Sequence, residues 1–320
     1  MDAAERELYT QSVRAAVAAA QSSDLDATLS ALGWHDALGA DRRSAVAAVF
    51  EACGELGGRG PLDDVLGAEL RPQQATDGVA VLLPELGQAD PPAARHGDQL
   101  VVRGLVRAEV ARTGTVLVTA RHPGGVELHA VATTDLDVGP ALALEPSLGW
   151  AEVAGMASAG SPLVADAAGD WERAVALGRL ALAHELVGAG RRLLELARVH
   201  ALDRVQFGRP IAGFQAVRHR LADGLVATEA AAAAVDAAWD LATPEAAGSA
   251  KAVAGATARQ VGRHAQQVLA GMGFTAEHPL PAVVKRTLVL DQELGSAATL
   301  TREIGAELVA GRALPQPLPL

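Results

Sequence analysis

The stretch Arg204-Val-Gln-Phe-Gly-Arg-Pro-Ile-Ala-Gly-Phe-Gln215 joins two long segments of helical periodicity and holds two of the four phenylalanines in the chain. Arg204 offers a planar guanidinium suited to phosphate oxygens, and Phe207 offers a flat face for a ring. Gln215 can donate and accept hydrogen bonds, and a helix that begins near Phe214 would direct free N–H groups outward. These residues suit a nucleotide diphosphate, although a capped helix turn with a surface arginine explains them equally well.

Long helices are predicted on both sides of this stretch. Thr243 and Pro244 form a cap followed by a first-turn proline, which marks the start of one of them. Three long antiparallel helices and a fourth element predict a four-helix bundle over residues 169–320. Apolar residues recur at helical spacing over residues 171–202, 214–241 and 245–270, with shorter helices expected over 280–294 and 296–309.

The first half of the chain divides into a helical zone, residues 1–76, and a β-rich zone, residues 77–168. Helices are expected over residues 2–21 and 41–56, the second capped by Asp41, and Pro61 can start a third. The β-rich zone alternates short apolar runs with turn residues, which predicts a small antiparallel β unit. We therefore expect an α+β protein with N-terminal helices, a small middle antiparallel β domain and the C-terminal bundle. The predicted strands cover residues 79–83, 100–106, 115–120 and 126–133.

Composition and charge exclude several classes of protein. Half of the 320 residues are hydrophobic and the net charge is -11, so neither whole-chain disorder nor nucleic-acid binding is expected. A run of about 18 uncharged apolar residues is missing, so no membrane span is predicted. Cys53 is the only cysteine and the histidines are scattered, so no metal site is predicted. The first residues lack the pattern of a signal peptide, and we expect a cytoplasmic protein.

The opening stretch also carries a resemblance to a known family. It is similar to the acyl-CoA dehydrogenase signature, which runs R-x-x-F-G-x-P-I-x-x-F-Q-x-x-x-H-x-L-A-D. A second motif of that family, Q-x-x-G-G-x-G-[FY], resembles Gln267-Val-Leu-Ala-Gly-Met-Gly-Phe274, with Ala270 in place of the first glycine. The matching residues of the first motif are Arg204, Phe207, Gly208, Pro210, Ile211, Phe214, Gln215, Leu221, Ala222 and Asp223.

The resemblance implies a cofactor, a reaction and partners. Members of the family bind FAD and remove an α-proton from an acyl-CoA while a hydride passes from the β-carbon to the flavin. Electron-transfer flavoprotein is the implied acceptor. The implied fold is acyl-CoA dehydrogenase-like, and the bundle of one subunit completes the flavin site of its neighbour. The positions carried over as cofactor-binding are Arg204, Gln206, Phe207, Gln215, Gln267 and Gly271.

The catalytic base departs from the family pattern. The usual glutamate precedes the Gly of a Y-E-G-T run, and the matching run here is Glu293-Leu-Gly-Ser296, with Leu294 in the catalytic place. Some relatives use a glutamate on the first long helix of the bundle, where this chain has Gly178. Glu293, one residue before Leu294, is the remaining candidate base; the alternative is a polar residue near a helix end.

A second departure lies between Leu83 and Leu100, where the family's T-E-x-x-x-G-S-D-like segment has no counterpart, and the N-terminal helical zone is short for the family. The chain resembles the shortened subunit of actinobacterial α2β2 acyl-CoA dehydrogenases, several of which handle steroid-derived CoA thioesters. Three hypotheses follow. The chain completes the FAD site of a catalytic partner, or it is a self-sufficient homo-oligomeric enzyme using Glu293, or it is a non-catalytic structural subunit.

Overall fold

The computed structural model describes residues 1–19, 25–70, 80–108, 114–141 and 148–311. Asp41 caps the fourth helix as predicted, because its carboxylate accepts a hydrogen bond from the Ser44 backbone N–H at 3.2 Å. Residues 20 and 21 of the predicted first helix, the predicted domain boundary after residue 76, and Val79 lie outside the described residues. The N-terminal helices are α1 (Ala3–Ala19), α2 (Leu25–Ala31), α3 (Trp34–Ala40), α4 (Arg42–Leu56) and α5 (Leu62–Leu70).

The middle strands form one sheet in the order β1-β4-β2-β3-β7-β6, with β5 paired to β4. The expected antiparallel unit is wrong in one respect, because β4 runs parallel to both β1 and β2. Sequence alternation predicts strands and local hairpins, but a parallel pair joins strands distant in sequence. The sheet is therefore mixed. Its strands are β1 (Ala80–Val81), β2 (Ala93–His96), β3 (Gln99–Arg107), β4 (Thr115–His122), β5 (Gly125–Ala132), β6 (Asp137–Pro140) and β7 (Trp150–Ser158).

The C-terminal part is the predicted helical bundle, and α6 lies at its centre. Residues 180–190 of α6 are buried without a break, because α4, α5, α7, α8 and α9 all pack against this helix. Thr243 caps α8 through a 3.2 Å hydrogen bond from the Ala246 N–H, and Pro244 follows in the first turn, as predicted. The elements are α6 (Ala168–Asp203), β8 (Val205–Gln206), β9 (Arg209–Pro210), α7 (Gln215–Leu241), α8 (Pro244–Leu269), α9 (Leu280–Gln292) and α10 (Ala297–Gly311).

Two glycines allow α4 and α6 to approach until their backbones touch. A Cβ on Gly54 of α4 would lie 2.1 Å from the Glu185 carbonyl oxygen, and a Cβ on Gly188 of α6 would lie 2.3 Å from the Glu51 carbonyl oxygen. Neither contact tolerates an added methyl group without separating the helices. The N-terminal helices are thereby fixed directly on the central helix of the bundle.

Candidate functional site

A tight hairpin follows α6 and presents an aromatic side chain to solvent. Strands β8 and β9 pair through Gln206 and Arg209, and the two residues between them, Phe207 and Gly208, have φ of 52° and 76°. Left-handed backbone at both central positions is typical of a type I′ turn, which favours Asn or Gly. Phe207 is 92% exposed. A phenylalanine held in strained backbone with almost no burial contributes little to the stability of this chain.

The ring of Phe214 packs against the exposed ring of Phe207. The centroids of Phe207 and Phe214 are 6.1 Å apart and the rings are nearly perpendicular, at 86°. The Arg209 guanidinium carbon lies 4.3 Å from the Phe214 centroid and covers one of its faces. Phe214 thus contacts both Phe207 and Arg209, while Phe207, being almost fully exposed, can stack against another planar group.

A cavity of about 420 Å³ lies beside the hairpin, between it, α7 and α8. It brings together three of the six predicted cofactor-binding residues, Gln206, Phe207 and Gln267. The side-chain amides of Gln206 and Gln267 can donate and accept hydrogen bonds, and most of the remaining lining is aromatic or aliphatic. The full lining is Gln206, Phe207, Ile211, Phe214, Ala216, Val217, Arg220, Gln267 and Val268.

The other three predicted positions lie outside that lining. Arg204 ends α6, where its N–H donates to the His200 carbonyl and its own carbonyl accepts from the Ile211 N–H, and its side chain is exposed. Gln215 is the exposed first residue of α7, and Gly271 is exposed in the 3₁₀ turn Ala270–Phe274. All three lie on segments that flank the cavity. Their roles in cofactor binding remain predictions.

Arg220 lines the same cavity and was not predicted from the sequence. The signal that could have found it is helical periodicity, because Val217 and Arg220 lie three residues apart on α7 and so share a face. In the family signature, position 220 can be any residue, so the motif alone does not point to Arg220. Geometry, in contrast, places the arginine on the same wall as the predicted residues.

Glu293, the candidate base, is buried just beyond the end of α9. It is 4% exposed, and its Oε1 accepts a 2.8 Å hydrogen bond from the Trp150 Nε1–H of β7. Burial raises the pKa of Glu293 to about 7, and the negative charge of Glu185 adds to this, while the Trp150 hydrogen bond and the charges of Lys251 and Arg59 oppose it. The group can therefore hold or lose a proton near neutral pH, but it lies behind an indole ring.

The two positions that carry a base in relatives face each other. A Cβ on Gly178 would lie 2.6 Å from Cδ1 of Leu294, 2.9 Å from Cδ1 of Leu66 and 3.4 Å from Cδ1 of Leu62. Leucine methyl groups therefore fill the space in which a carboxylate at residue 178 would lie. The Arg179 Nε–H donates to the Leu294 carbonyl at 3.0 Å and fixes the backbone there.

The connector between α9 and α10, residues 293–296, is held by a buried lysine. The Lys251 Nζ donates to the carbonyls of Asp291 at 3.0 Å and Gly295 at 3.3 Å, and the side chain is fully buried. Burial lowers the pKa of Lys251 to about 8, although the charges of Asp291 and Glu293 oppose this. The Lys251 side chain of α8 thus holds the backbone at both ends of this connector.

The segment that departs from the family motif, after Leu83, forms the edge of a second cavity of about 420 Å³ against the sheet. Glu85 Oε1 lies 2.6 Å from Arg103 Nε of β3, and both residues line this cavity together with Trp150. An ion pair between exposed side chains is worth little in stability. The Glu85–Arg103 ion pair lies at the edge of the sheet where the family resemblance implies contacts with the flavin.

The residues that the structure describes offer neither a metal site nor a membrane-spanning helix. They contain no group of three or more histidine, cysteine or acidic side chains that could hold a metal ion. Within the same residues no helix combines the length and apolar character needed to span a bilayer. His184 is engaged in a structural network, since its Nδ1 lies 2.9 Å from Glu51 Oε1 and its Nε2 accepts from the Trp239 Nε1–H at 2.9 Å.

Known proteins share this sequence pattern and this fold. Residues 171–309 match the family model of the acyl-CoA dehydrogenase C-terminal domain. Acyl-CoA dehydrogenase IpdE2 of Mycobacterium tuberculosis is 37% identical over 127 residues, which are 40% of this chain and 40% of that protein. The ChsE4-ChsE5 complex from Mycobacterium tuberculosis superposes with a TM-score of 0.76 at 23% identity, covering 97% of this chain and 98% of that chain. A variant of the Tcur3481-Tcur3483 steroid ACAD gives a TM-score of 0.76 at 22% identity over 97% and 96%.

The chain therefore has the fold of the acyl-CoA dehydrogenases. Residues 171–309 match the C-terminal domain of that family, and within this part the chain is similar to the acyl-CoA dehydrogenases IpdE2 of Mycobacterium tuberculosis and Mycolicibacterium smegmatis. The aligned segment spans only 40% and 42% of the length of the two IpdE2 relatives.

Proposed function

We propose that this chain is a subunit of an FAD-dependent acyl-CoA dehydrogenase and completes the FAD site of a catalytic partner. One observation carries the proposal. The hairpin holds a 92% exposed phenylalanine in left-handed backbone beside a cavity lined by glutamine amides. The exposed Phe207 ring adds little to the stability of the isolated chain, whereas a partner that presents a planar cofactor would bury this ring.

The residues around this cavity fit the adenine-nucleotide half of FAD. Phe207 can stack on a ring, Gln206 and Gln267 can hydrogen-bond its edge, and Arg204 stands on the adjoining helix end for phosphate. No acidic side chain lines the described cavity, so phosphate meets no repulsion there. When bound, FAD supplies the acceptor for the hydride that leaves the β-carbon.

The base is proposed to come from the partner. α-Proton abstraction needs a carboxylate within hydrogen-bond reach of the substrate. Leucine side chains fill the space around residue 178, and residue 294 is itself a leucine. Glu293 is buried and its carboxyl group is hydrogen-bonded to Trp150. This chain then contributes to cofactor binding and the partner to proton transfer.

The substrate and the assembly are proposed from relatives. IpdE2 is an acyl-CoA dehydrogenase, the Tcur3481-Tcur3483 protein is a steroid ACAD, and ChsE4-ChsE5 is a complex of two named components. We infer a steroid-derived acyl-CoA as substrate and an α2β2 heterotetramer as the assembly. Electron-transfer flavoprotein is the proposed electron acceptor, as the family resemblance implies.

A second candidate function is a self-sufficient dehydrogenase that uses Glu293. The observation in its favour is the pKa of that buried carboxyl group, which burial raises to about 7, a value suited to a general base. It requires Trp150 to move aside. A third candidate, a purely structural subunit, predicts that Arg204→Ala leaves the flavin content of the complex unchanged.

The test is to purify the chain alone and together with a candidate partner acyl-CoA dehydrogenase, and to record flavin absorbance and assembly size for each. Flavin in the joint complex, with little in either chain alone, supports the shared site. A yellow homo-oligomer of this chain alone contradicts it and favours the Glu293 enzyme. A partner that binds its full complement of flavin without this chain supports the structural subunit.

A further inference from the structure

Arg220 has a distinct position in the cavity beside the hairpin. Of the nine described residues that line it, Arg220 alone is ionisable; the others are two glutamines, two phenylalanines and aliphatic residues. A cation without a carboxylate on the same wall, in a protein with a net charge of -11, is a local site for an anion.

The backbone of Arg220 is fixed relative to the opposite wall. The His264 Nδ1–H of α8 donates to the Arg220 carbonyl of α7 at 3.2 Å. His264 and Gln267 lie three residues apart on α8 and so share a face. The hydrogen bond thus joins the helix that carries Arg220 to the helix that carries Gln267.

The guanidinium is also uncommitted. It is exposed, and the described part of the chain provides it with no ion pair and no hydrogen bond. Two other arginines of this region are engaged, since Arg209 is stacked on Phe214 and Arg198 is paired with Glu195. An unpaired planar guanidinium can give two parallel hydrogen bonds to a phosphate group.

We infer that Arg220 is a further cofactor-binding residue, which binds the diphosphate of the nucleotide whose ring lies against Phe207. The inference rests on the proposed function and deepens it, because position 220 is variable in the family signature. The Arg220 guanidinium on the cavity wall contacts the phosphate groups, and Arg204 at the end of α6 adds a second positive charge. The ligand class is a nucleoside diphosphate, of which FAD is the member proposed here.

The experiment is an FAD titration of the apo complex of this chain with its partner, followed by flavin fluorescence at low and high potassium chloride. Arg220→Gln is expected to raise the Kd for FAD by about tenfold or more, because a charge-assisted hydrogen bond is lost. The Kd of the variant is also expected to depend less on salt than that of the wild type. Arg220→Lys keeps the charge and is expected to fall between the two.

Arg218→Gln is the matched control. Arg218 is an exposed arginine two residues away on α7 and does not line the cavity, so its replacement is expected to leave the Kd unchanged. Wild-type affinity in Arg220→Gln, with flavin binding still dependent on this chain, overturns the inference and leaves the proposed function standing. Flavin binding that is equally tight without this chain overturns both.

A second measurement covers the case in which Arg220→Gln does not assemble with the partner. Equilibrium dialysis of the isolated chain with labelled ADP compares wild type, Arg220→Gln and Arg218→Gln. Weaker ADP binding by Arg220→Gln alone supports the inference. Equal ADP binding by wild type and Arg220→Gln contradicts it.

Discussion

Trp150 and Glu293 are 143 residues apart in sequence and 2.8 Å apart in the structure, joined by a hydrogen bond from the indole Nε1–H to the carboxyl Oε1. Trp150 begins β7 and Glu293 follows α9, so the contact connects the sheet to the bundle. Arg59 stacks over the same indole, with its guanidinium carbon 5.3 Å from the ring centroid. The buried carboxyl group is thus part of the junction between two structural units.

Glu293→Gln is expected to stabilise the protein at neutral and alkaline pH. Glu293 has a pKa of about 7 in the folded chain and an ordinary value of 4.5, so the folded state holds the proton to higher pH than the unfolded state. Stability from this group is full below pH 4.5 and falls as the pH rises towards 7, by about 3 kcal/mol in total. The amide keeps an oxygen to accept from Trp150 and carries no charge.

Urea unfolding of wild type and Glu293→Gln at pH 4.5 and pH 8 measures this directly. The two proteins should have similar free energies of unfolding at pH 4.5, and the variant should be more stable at pH 8. A variant less stable at pH 8 would mean that the ionised carboxylate is favoured in the fold. Dehydrogenase activity of the complex should be unchanged; loss of activity by two or more orders of magnitude would identify Glu293 as the base.

Phe207→Asn is expected to separate stability from cofactor binding. Asn tolerates left-handed backbone better than Phe, so the isolated chain should gain a few tenths of a kcal/mol to about 1 kcal/mol. The complex should lose FAD affinity, because the stacking face is removed. Thermal unfolding of the chain and FAD titration of the complex provide the two measurements.

Phe274→Asn is the control for that prediction. Phe274 is also exposed, at 70%, but it does not line the cavity and does not have positive φ. Its replacement should change neither quantity appreciably. Unchanged FAD affinity in Phe207→Asn would remove the main support for a cofactor role of the hairpin.

Lys251→Met is expected to destabilise the fold by about 2 to 4 kcal/mol, because it leaves the carbonyls of Asp291 and Gly295 without their buried donor. Lys285 is the other lysine of the chain and is exposed, so Lys285→Met should cost less than about 0.5 kcal/mol. Denaturant unfolding compares them. Equal effects of the two substitutions would show that the ammonium group does not hold the connector.

Gly188→Ala is expected to cost about 3 kcal/mol, since the new methyl group would overlap the Glu51 carbonyl and force α4 away from α6. Gly305→Ala on α10 meets open space, and it should stabilise its helix by roughly 0.5 to 1 kcal/mol. The same Gly→Ala substitution is thus expected to lower the free energy of unfolding at residue 188 and to raise it at residue 305. Circular dichroism during thermal unfolding detects both changes, and a stabilising Gly188→Ala would disprove the close contact.

Local signals predicted most of the helices, and long-range contacts account for what was missed. Asp41 and Thr243 act as helix caps, as expected from chemistry within a few residues. The parallel pairing of β4 with β1 and β2, in contrast, depends on where distant strands meet. The same holds for the site, because the predicted residues Gln206, Phe207 and Gln267 meet at one cavity, whereas the place of Arg220 in that cavity is seen only in the structure. The burial of Glu293 depends on a tryptophan in another structural unit.

The contact between Gly178 and Leu294 also has an evolutionary consequence. A glutamate that arose at residue 178 would press against the terminal methyl groups of Leu294, Leu66 and Leu62, so these side chains would have to shift to admit it. All three contacts are with the ends of leucine side chains, which can move by changing rotamer. Any carboxylate introduced at residue 178 would therefore first require this leucine cluster to repack.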